Sequence, residues 1–161
     1  MRPLLVANWK MNPSSREEAQ RMIAETERSA AAGCEVVLCP PFVFLDKASV
    51  ILEGAKLGAQ NCSYREEGPL TGEISPKMLK SFGVEYVIVG HSERRTSFGE
   101  NDETVNQKVK AALRNGLTPI LCIGESAGER DGGKTEEVLQ GQLARGLEGT
   151  EGGVVVAYEP I

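Results

Sequence analysis

Histidine and tryptophan each occur once in this chain of 161 residues, and aromatic residues make up only 5% of it. Basic residues are outnumbered, because 18 Lys and Arg stand against 23 Asp and Glu and leave a formal charge of -5. Proteins that bind nucleic acid usually carry the opposite balance, so nucleic acid is not an expected partner. No apolar run approaches the roughly 20 residues that cross a bilayer, which also excludes a membrane as partner.

Cysteine is sparse, and its spacing does not favour disulfides or metal centres. The chain contains no C-x-x-C pair, and its cysteines lie in or beside apolar segments: Cys34, Cys39, Cys62 and Cys122. This pattern is typical of buried free thiols. No cluster of histidine, cysteine and carboxylate has the spacing of metal ligands, so we expect no metal site.

The first residues carry no recognisable targeting segment. Met1 to Leu4 lead directly into a strand-like run, without the charged and apolar regions of a signal peptide. This pattern predicts a cytoplasmic protein.

Short apolar runs recur six times and are typical of buried strands. The predicted strands cover residues 4–7, 36–39, 57–59, 86–89, 119–123 and 154–158. Helical patterning with start and stop signals fills most of the gaps between them. The alternation of strand and helix predicts a parallel sheet with right-handed crossovers.

Capping signals mark the expected starts of the helices. Residues 14–17 read Ser-Ser-Arg-Glu, a capping box, and Ser75 followed by Pro76 provides an N-cap and a first-turn proline. Residues 101–103 place acidic side chains at a third start, and Gly83 is expected to end the second helix. The predicted buried stripes are Ala19, Met22, Ile23 and Thr26; Met78, Leu79 and Phe82; Val105, Val109, Ala112 and Leu113; and Val138, Leu139, Leu143 and Leu147.

The spacing of the strands along the sequence indicates whether the sheet is open or part of a barrel. Successive strands start about 30 residues apart, which matches an α/β barrel of eight units in roughly 250 residues. Six strands cannot close that barrel, and the sequence stops on a hydrophobic strand. The predicted fold is therefore α/β, a (β/α)8 barrel truncated to about six strands, and residues 1–161 form a single, C-terminally incomplete domain of a longer protein. Inward-facing side chains are expected to include Val87, Val89, Val155 and Ala157.

Polar side chains at strand ends are the candidates for chemistry, because barrel enzymes act at the C-terminal ends of their strands. Asn8 and Lys10 follow the first strand two residues apart, which in an extended chain directs both to one face. His91 ends the fourth strand just before a helix start, whose positive end disfavours the imidazolium form. Glu159 ends the sixth strand, where a carboxylate after an apolar run is either paired or functional.

One motif points to a different enzyme class. Residues 124–128 read Gly-Glu-Ser-Ala-Gly after a strand and fit the nucleophile elbow of α/β hydrolases, with Ser126 as nucleophile. The single histidine lies upstream of this serine, whereas that fold places it downstream, and residues 128–134 look too glycine-rich to start a helix at once. A hydrolase therefore remains a remote alternative.

Several segments together resemble the triosephosphate isomerase family in order and spacing. They are Ala-Asn-Trp-Lys-Met-Asn at 7–12, Cys-Pro-Pro at 39–41, Gly-Ala-Gln-Asn at 58–61, Thr-Gly-Glu-Ile-Ser at 71–75, Val-Gly-His-Ser-Glu-Arg-Arg at 89–95, Leu-Cys-Ile-Gly-Glu at 121–125 and Ala-Tyr-Glu-Pro at 157–160. The resemblance covers the whole chain. It implies the TIM barrel fold and a cofactor-free interconversion of dihydroxyacetone phosphate and D-glyceraldehyde 3-phosphate through an enediolate, as in glycolysis and gluconeogenesis.

The resemblance also implies roles for individual residues. Glu159 matches the general base, His91 the electrophile that polarises the carbonyl, Lys10 the cation facing the enediolate and phosphate, and Asn8 its neighbour in the substrate site. Glu93, Ser92 and Cys122 resemble positions just behind these side chains. For Cys122, a packed core thiol is an equally good interpretation.

The segment 63–75 reads as a charged surface loop, but the resemblance implies a dimer contact. In the family this loop inserts into a second subunit, with Thr71 at its tip followed by Gly72 and Glu73, so a homodimer is expected. The family also follows its Glu-Pro-Ile with a mobile lid and two phosphate-binding strands, which residues 1–161 do not include. The alternative function is therefore an inactive fragment, or a split-barrel module that acts in folding or complementation.

Overall fold

Six parallel strands form one curled sheet in the computed structural model, which describes residues 3–30 and 33–160. The strands are β1 (Leu4–Asn8), β2 (Glu35–Cys39), β3 (Lys56–Ala59), β4 (Tyr86–Val89), β5 (Thr118–Ile123) and β6 (Val155–Tyr158). They lie side by side in sequence order, and every neighbouring pair is parallel. This curled half-barrel confirms the predicted α/β class, and the predicted strand positions are confirmed to within one residue at each end.

The sheet separates two apolar layers. Its outer face and the surrounding helices form the larger core, which contains Leu38, Val87, Val89 and Leu121. The smaller inner layer consists of Val37, Cys39, Ile88, Ile120 and Cys122, with Val155 and Ala157 packed against it. The inward orientation expected for Val155 and Ala157 is confirmed, but it was wrong for Val87 and Val89. Strand β4 is apolar on both faces, so its sequence has no alternation of polar and apolar residues that would indicate which face turns inward.

Seven helices are described within these residues. They are α1 (Arg16–Ser29), α2 (Leu45–Ile51), α3 (Pro76–Ser81), α4 (Ser92–Phe98), α5 (Asp102–Arg114), α6 (Ala127–Asp131) and α7 (Thr135–Gly146), and a 3-10 turn (Phe42–Phe44) precedes α2. The cap expected at Ser75 is confirmed, since its side chain accepts the backbone N–H of Met78. The helix start expected at residues 101–103 is also confirmed: Asp102 and Glu103 lie in the first turn of α5, and Asn101 is its N-cap. The α1 cap lies one residue later than the predicted box, because Ser15 accepts the N–H of Glu18.

Three of the helix predictions were wrong in detail. In α3 only Leu79 of the predicted stripe is buried, and Met78 and Phe82 are 51% and 41% exposed. A helix does begin directly after Ser126, against the expectation from its glycines, because Ser126 and Glu129 form a reciprocal capping box. The α7 stripe is only half-buried against the outer core.

Three of the thiols are buried as predicted, namely Cys39, Cys62 and Cys122, whereas Cys34 is half-buried. In the described residues none of the helices is long and apolar enough to cross a membrane. Each of the two outermost strands, β1 and β6, pairs with one neighbour only. The sheet therefore has two open edges among the described strands.

Candidate active site

Four of the predicted site residues come together at the C-terminal ends of the strands. Asn8, His91, Cys122 and Glu159 line one pocket of about 360 Å³ on the inner side of the sheet. The rest of its wall is apolar and comes from β1, β4, β5 and β6. The strand ends thus converge as expected for a parallel barrel.

His91 is buried and held from both ring nitrogens. It is the N-cap of α4, where its Nδ1 accepts the backbone N–H of Glu93 at 3.2 Å. Its Nε2 lies 3.0 Å from Oε1 of Glu159. An acceptor Nδ1 leaves the proton of a neutral ring on Nε2, so the imidazole donates toward the pocket.

Glu159 follows β6 and is fixed through its backbone. Its N–H donates to the carbonyl of Ile123 at 2.8 Å, which ties it to the end of β5. Its side chain is one-third exposed, and its Oε2 is buried with no hydrogen-bond partner in the described part of the chain. One carboxylate oxygen therefore contacts His91 while the other is free to accept a proton.

Lys10 reaches this site from a strained turn. The predicted extended backbone is wrong here, because β1 ends at Asn8 and Lys10 has a φ of 55°, in the left-handed region. A non-glycine residue there costs roughly 1 kcal/mol or more. Asn8 Oδ1 stabilises the turn by accepting the N–H of Lys10 at 3.0 Å, and Gln60 Nε2 donates to the carbonyl of Lys10 at 2.8 Å.

Glu93 links Lys10 to the histidine. Lys10 Nζ donates to Glu93 Oε1 at 2.9 Å, and Glu93 Oε2 lies 3.7 Å from His91 Nδ1. The hydrogen bond raises the pKa of Lys10 and lowers the pKa of Glu93, with smaller effects from burial and nearby charge. Lys10 therefore stays cationic and Glu93 anionic in this network.

Cys122 and Ser92 line a narrow cleft together with Glu159. Burial, with a smaller contribution from the Glu159 carboxylate, raises the pKa of the Cys122 thiol to about 12. Such a thiol is not a nucleophile near neutral pH and serves as packing under the pocket. Ser92 borders a narrow cleft that it shares with Gly90, Gly124 and Glu159.

The loop predicted for dimer contact stands apart from the pocket. The backbone N–H of Ser63 donates to the carbonyl of Ile74 at 2.8 Å and closes the base of the loop. Thr71, Gly72 and Glu73 are exposed at its tip, and Gly72 has a φ of 90°. The loop is thus a closed, projecting structure.

Within residues 3–30 and 33–160, Ser126 makes no contact with a histidine or lysine that could activate it. Its hydroxyl lies 2.8 Å from Oε2 of Glu129 and caps α6. Both nitrogens of His91 are engaged elsewhere, by Glu93 and Glu159. The hydrolase alternative therefore lacks its base.

Sequence reasoning missed two residues that hold the site. Gln60 supports the Lys10 turn, and it also donates to the carbonyl of Cys39 at 2.9 Å. Arg95 joins β4 to β5 by donating to the carbonyls of Gly90 at 2.8 Å and Cys122 at 3.4 Å. Both lie within segments that carried the family resemblance, but nothing in their spacing indicated these contacts.

Comparisons with known proteins agree with this arrangement. The sequence profile of the family described as triosephosphate isomerase matches residues 3–161. This chain belongs to the triosephosphate isomerase family. The chain is 47% identical over 166 residues to the triosephosphate isomerase of Clostridium perfringens (strain SM101 / Type A). It is 52% identical over 167 residues to the triosephosphate isomerase of Picosynechococcus sp..

The matches cover nearly all of this chain but only part of each relative. The alignment with the Clostridium protein spans 99% of this chain and 66% of the relative, and the Picosynechococcus alignment spans 100% and 69%. A crystal structure of triosephosphate isomerase from Bartonella henselae superposes with a TM-score of 0.94 at 40% identity, covering 99% of this chain and 68% of that one. The chain thus spans about two thirds of the length of its curated relatives and corresponds to their N-terminal portion.

Proposed function

We propose that this chain carries the proton-transfer residues of a triosephosphate isomerase, which interconverts dihydroxyacetone phosphate and D-glyceraldehyde 3-phosphate. The observation that carries the proposal is the 3.0 Å contact between Glu159 Oε1 and His91 Nε2 in the pocket at the strand ends. A carboxylate that accepts a proton and an imidazole that donates a hydrogen bond are the two groups that an enediolate pathway requires.

Glu159 acts as the general base in this proposal. It removes a proton from C1 of dihydroxyacetone phosphate, and the electrons of that C–H bond form the C1–C2 double bond of the enediolate. Protonated Glu159 then returns the proton to C2, which yields the aldehyde after proton exchange between the two oxygens. The unpartnered Oε2 of Glu159 supports this role, since an acceptor already bonded would be a weaker base.

His91 and Lys10 stabilise the charge that develops. The His91 Nε2–H donates to the carbonyl oxygen as it becomes negative, and Lys10 places a cation beside the enediolate and phosphate. Support comes from the hydrogen bond of Lys10 to Glu93, which keeps the ammonium protonated and aims it from the strained turn. Asn8 contributes to substrate binding, while Ser92, Glu93 and Cys122 hold the reacting side chains in place.

We further propose that the protein is a homodimer and acts in the cytoplasm. The exposed tip of the loop at Thr71 supports the dimer, as do the large apolar side chains of Met11 and Phe98, which are 93% and 67% exposed. Buried free thiols such as Cys39 and Cys62 are compatible with the reducing cytoplasm, where glycolysis and gluconeogenesis would use this activity.

The described residues build one sheet, so we propose a single barrel domain to which residues 1–161 contribute six strands. The competing function is an inactive fragment or a complementation module, and the two open edges at β1 and β6 favour it. The proposals differ in what the remaining third restores. An isomerase becomes active when that third is supplied in the same chain, with Glu159 essential, and an inactive fragment does not; a complementation module also becomes active when the third is supplied as a separate polypeptide.

The test is a completed chain, in which residues 1–161 are followed by the remaining C-terminal residues of the Clostridium relative. In a coupled assay we expect turnover of about 1 to 1,000 per second, typical of enzymes. Glu159→Gln should lower kcat by about a thousandfold or more, because it keeps the volume of the side chain and removes the base. The matched control is Glu151→Gln at an exposed position before β6, which should leave kcat unchanged. A Glu159→Gln variant with near-normal turnover would remove Glu159 from the mechanism.

A further inference from the structure

Gln142 on α7 holds both polar groups of one backbone residue at the end of β5. Its Oε1 accepts the N–H of Gly124 at 2.9 Å, and its Nε2 donates to the carbonyl of Gly124 at 3.0 Å. Gly124 is buried directly after β5, so these groups would otherwise need partners in the interior. The side-chain amide of Gln142 thus makes the two hydrogen bonds with the Gly124 backbone that a neighbouring strand would otherwise make.

Gly124 in turn lies against the backbone of Glu159. A Cβ at position 124 would overlap the carbonyl group of Glu159, so the two backbones approach more closely than any other side chain at 124 would allow. The N–H of Glu159 is bonded to Ile123, the residue before Gly124. The position of Gly124 therefore sets where Glu159 leaves β6.

We infer that Gln142 is a positioning residue for the general base, acting on Glu159 through the Gly124 backbone that it clamps. This inference rests on the proposed function, because it assigns Gln142 a purpose in that same proton transfer. Gln142 lines none of the pocket that holds His91 and Glu159, so it acts only through Gly124. A displacement of about 1 Å at a reacting group can lower the rate a hundredfold. We therefore expect loss of the two Gln142 hydrogen bonds to reduce kcat by a larger factor than it reduces the folding equilibrium constant.

A purely structural role for Gln142 makes a different prediction. The amide also fastens α7 to the end of β5, so it could simply add stability to the fold. In that case its loss would lower the unfolding temperature and leave the contact between Glu159 and His91 as it was. The measurement must therefore be sensitive to the contact between Glu159 and His91, and not only to stability.

The test variant is Gln142→Met, which keeps the length of the side chain and removes both hydrogen bonds. Gln140→Met on the same helix is the matched control, because Gln140 is exposed and its amide bonds only to Glu136 among the described residues. Gln142→Asn is a third variant that keeps the amide and stays uncharged, but its side chain is one methylene shorter and cannot reach both polar groups of Gly124. If Gln142→Met does not fold, Gln142→Asn carries the same test with a smaller expected effect.

The first measurement uses the single histidine of the chain. With 15N-labelled histidine, the imidazole Nε2–H of His91 gives a proton signal in the completed chain, assigned by its absence in His91→Gln and shielded from exchange by the 3.0 Å contact with Glu159. We expect exchange at least about tenfold faster in Gln142→Met and unchanged in Gln140→Met. Equal protection in all variants would overturn the inference, and so would an unprotected signal in the unsubstituted chain.

The second measurement separates kcat from KM in the completed chain. Gln142→Met should lower kcat about tenfold or more and change KM less than about twofold, because binding groups are untouched while the base is displaced. A parental kcat in Gln142→Met would overturn the inference and leave the proposed function intact. An inactive completed chain would contradict the proposed function, and the histidine signal would still decide whether Gln142 positions Glu159.

Discussion

Nε2 of His91 faces Oε1 of Glu159, and the other ring nitrogen, Nδ1, is occupied by the backbone of Glu93. The distance from Nε2 to Oε1 of Glu159 is 3.0 Å, and Nδ1 accepts the Glu93 backbone N–H at 3.2 Å. A proton on Nδ1 would break the hydrogen bond to the first turn of α4 and place two donors face to face.

We therefore expect the neutral ring of His91 to carry its proton on Nε2 and not on Nδ1. The nitrogen chemical shifts of the labelled ring report this directly, since Nδ1 should resonate as an unprotonated nitrogen and Nε2 as a protonated one. The matched comparison is the completed chain with Glu159→Gln, where removal of a charge should leave the tautomer unchanged. Shifts typical of a proton on Nδ1 would contradict the role of His91 as a donor through Nε2.

Gly124→Ala tests the close approach between β5 and β6. The new Cβ would meet the Glu159 backbone, which cannot move away as a flexible side chain can. We expect a loss of about 1 to 3 kcal/mol in the free energy of unfolding, and a fall in kcat of the completed chain larger than this loss of stability explains.

Gly128→Ala is the matched control for that substitution. Gly128 lies in α6, and a Cβ there would meet nothing within 4 Å. Because alanine favours a helix more than glycine, this change should raise the free energy of unfolding by up to about 1 kcal/mol. Urea unfolding of both variants checks the pair, and equal effects would contradict the contact between Gly124 and Glu159.

The strands, and the side chains for which we propose catalytic roles, stand out in the sequence for a common reason. Buried parallel strands are continuous apolar runs, and the polar residues that end them stand out, as His91 and Glu159 do. Which face of a strand turns inward was not predictable, because Val87 and Ile88 are equally apolar and only the curvature of the sheet separates them.

Contacts between segments that are distant in the chain also could not be predicted from the sequence. The left-handed φ of Lys10 depends on Gln60, which is 50 positions away in the chain. Gln142 looks like any polar residue on a helix surface, since nothing in its neighbours reveals that Gly124 lies within reach. Local patterns specify local structure, whereas these roles arise only when the strand ends meet.

Glu125 should make the stability of the chain depend on pH in the acid range. Burial raises its pKa, but hydrogen bonds from the backbone and from Arg130, Tyr158 and Thr135 outweigh that effect and lower the pKa from 4.5 to about 2. The unfolded state therefore binds a proton more readily than the folded state. The stabilisation by Glu125 is complete above the unfolded pKa and is lost as the pH falls from about 4.5 to about 2.

Thermal unfolding of the chain across that range provides the measurement. The unfolding temperature should fall less steeply with acid in Glu125→Gln than in the unsubstituted chain, because the titrating group is gone. Glu148→Gln, at an exposed position after α7, should keep the original slope. Identical slopes in all three proteins would show that Glu125 does not titrate differently on folding.

The 161-residue chain by itself is expected to have secondary structure but no isomerase activity. The helices that cover β2 to β5 have their own buried contacts, whereas β1 and β6 have unpaired edges and the pocket of about 360 Å³ opens along an apolar wall. Open edges and apolar surface favour self-association. A site open to water also weakens the electrostatic effects of His91 and Lys10, and the resemblance places the phosphate-binding loops outside these residues.

A coupled assay on rigorously purified residues 1–161 checks this expectation, with the completed chain as the positive control. Circular dichroism should report helices and strands in both proteins, and sedimentation should find the shorter chain in larger, heterogeneous species. Turnover of about 1 to 1,000 per second by residues 1–161 alone would contradict the prediction. Such turnover would mean that a second copy supplies the missing wall of the pocket, and it should then rise with the square of protein concentration in the dilute range.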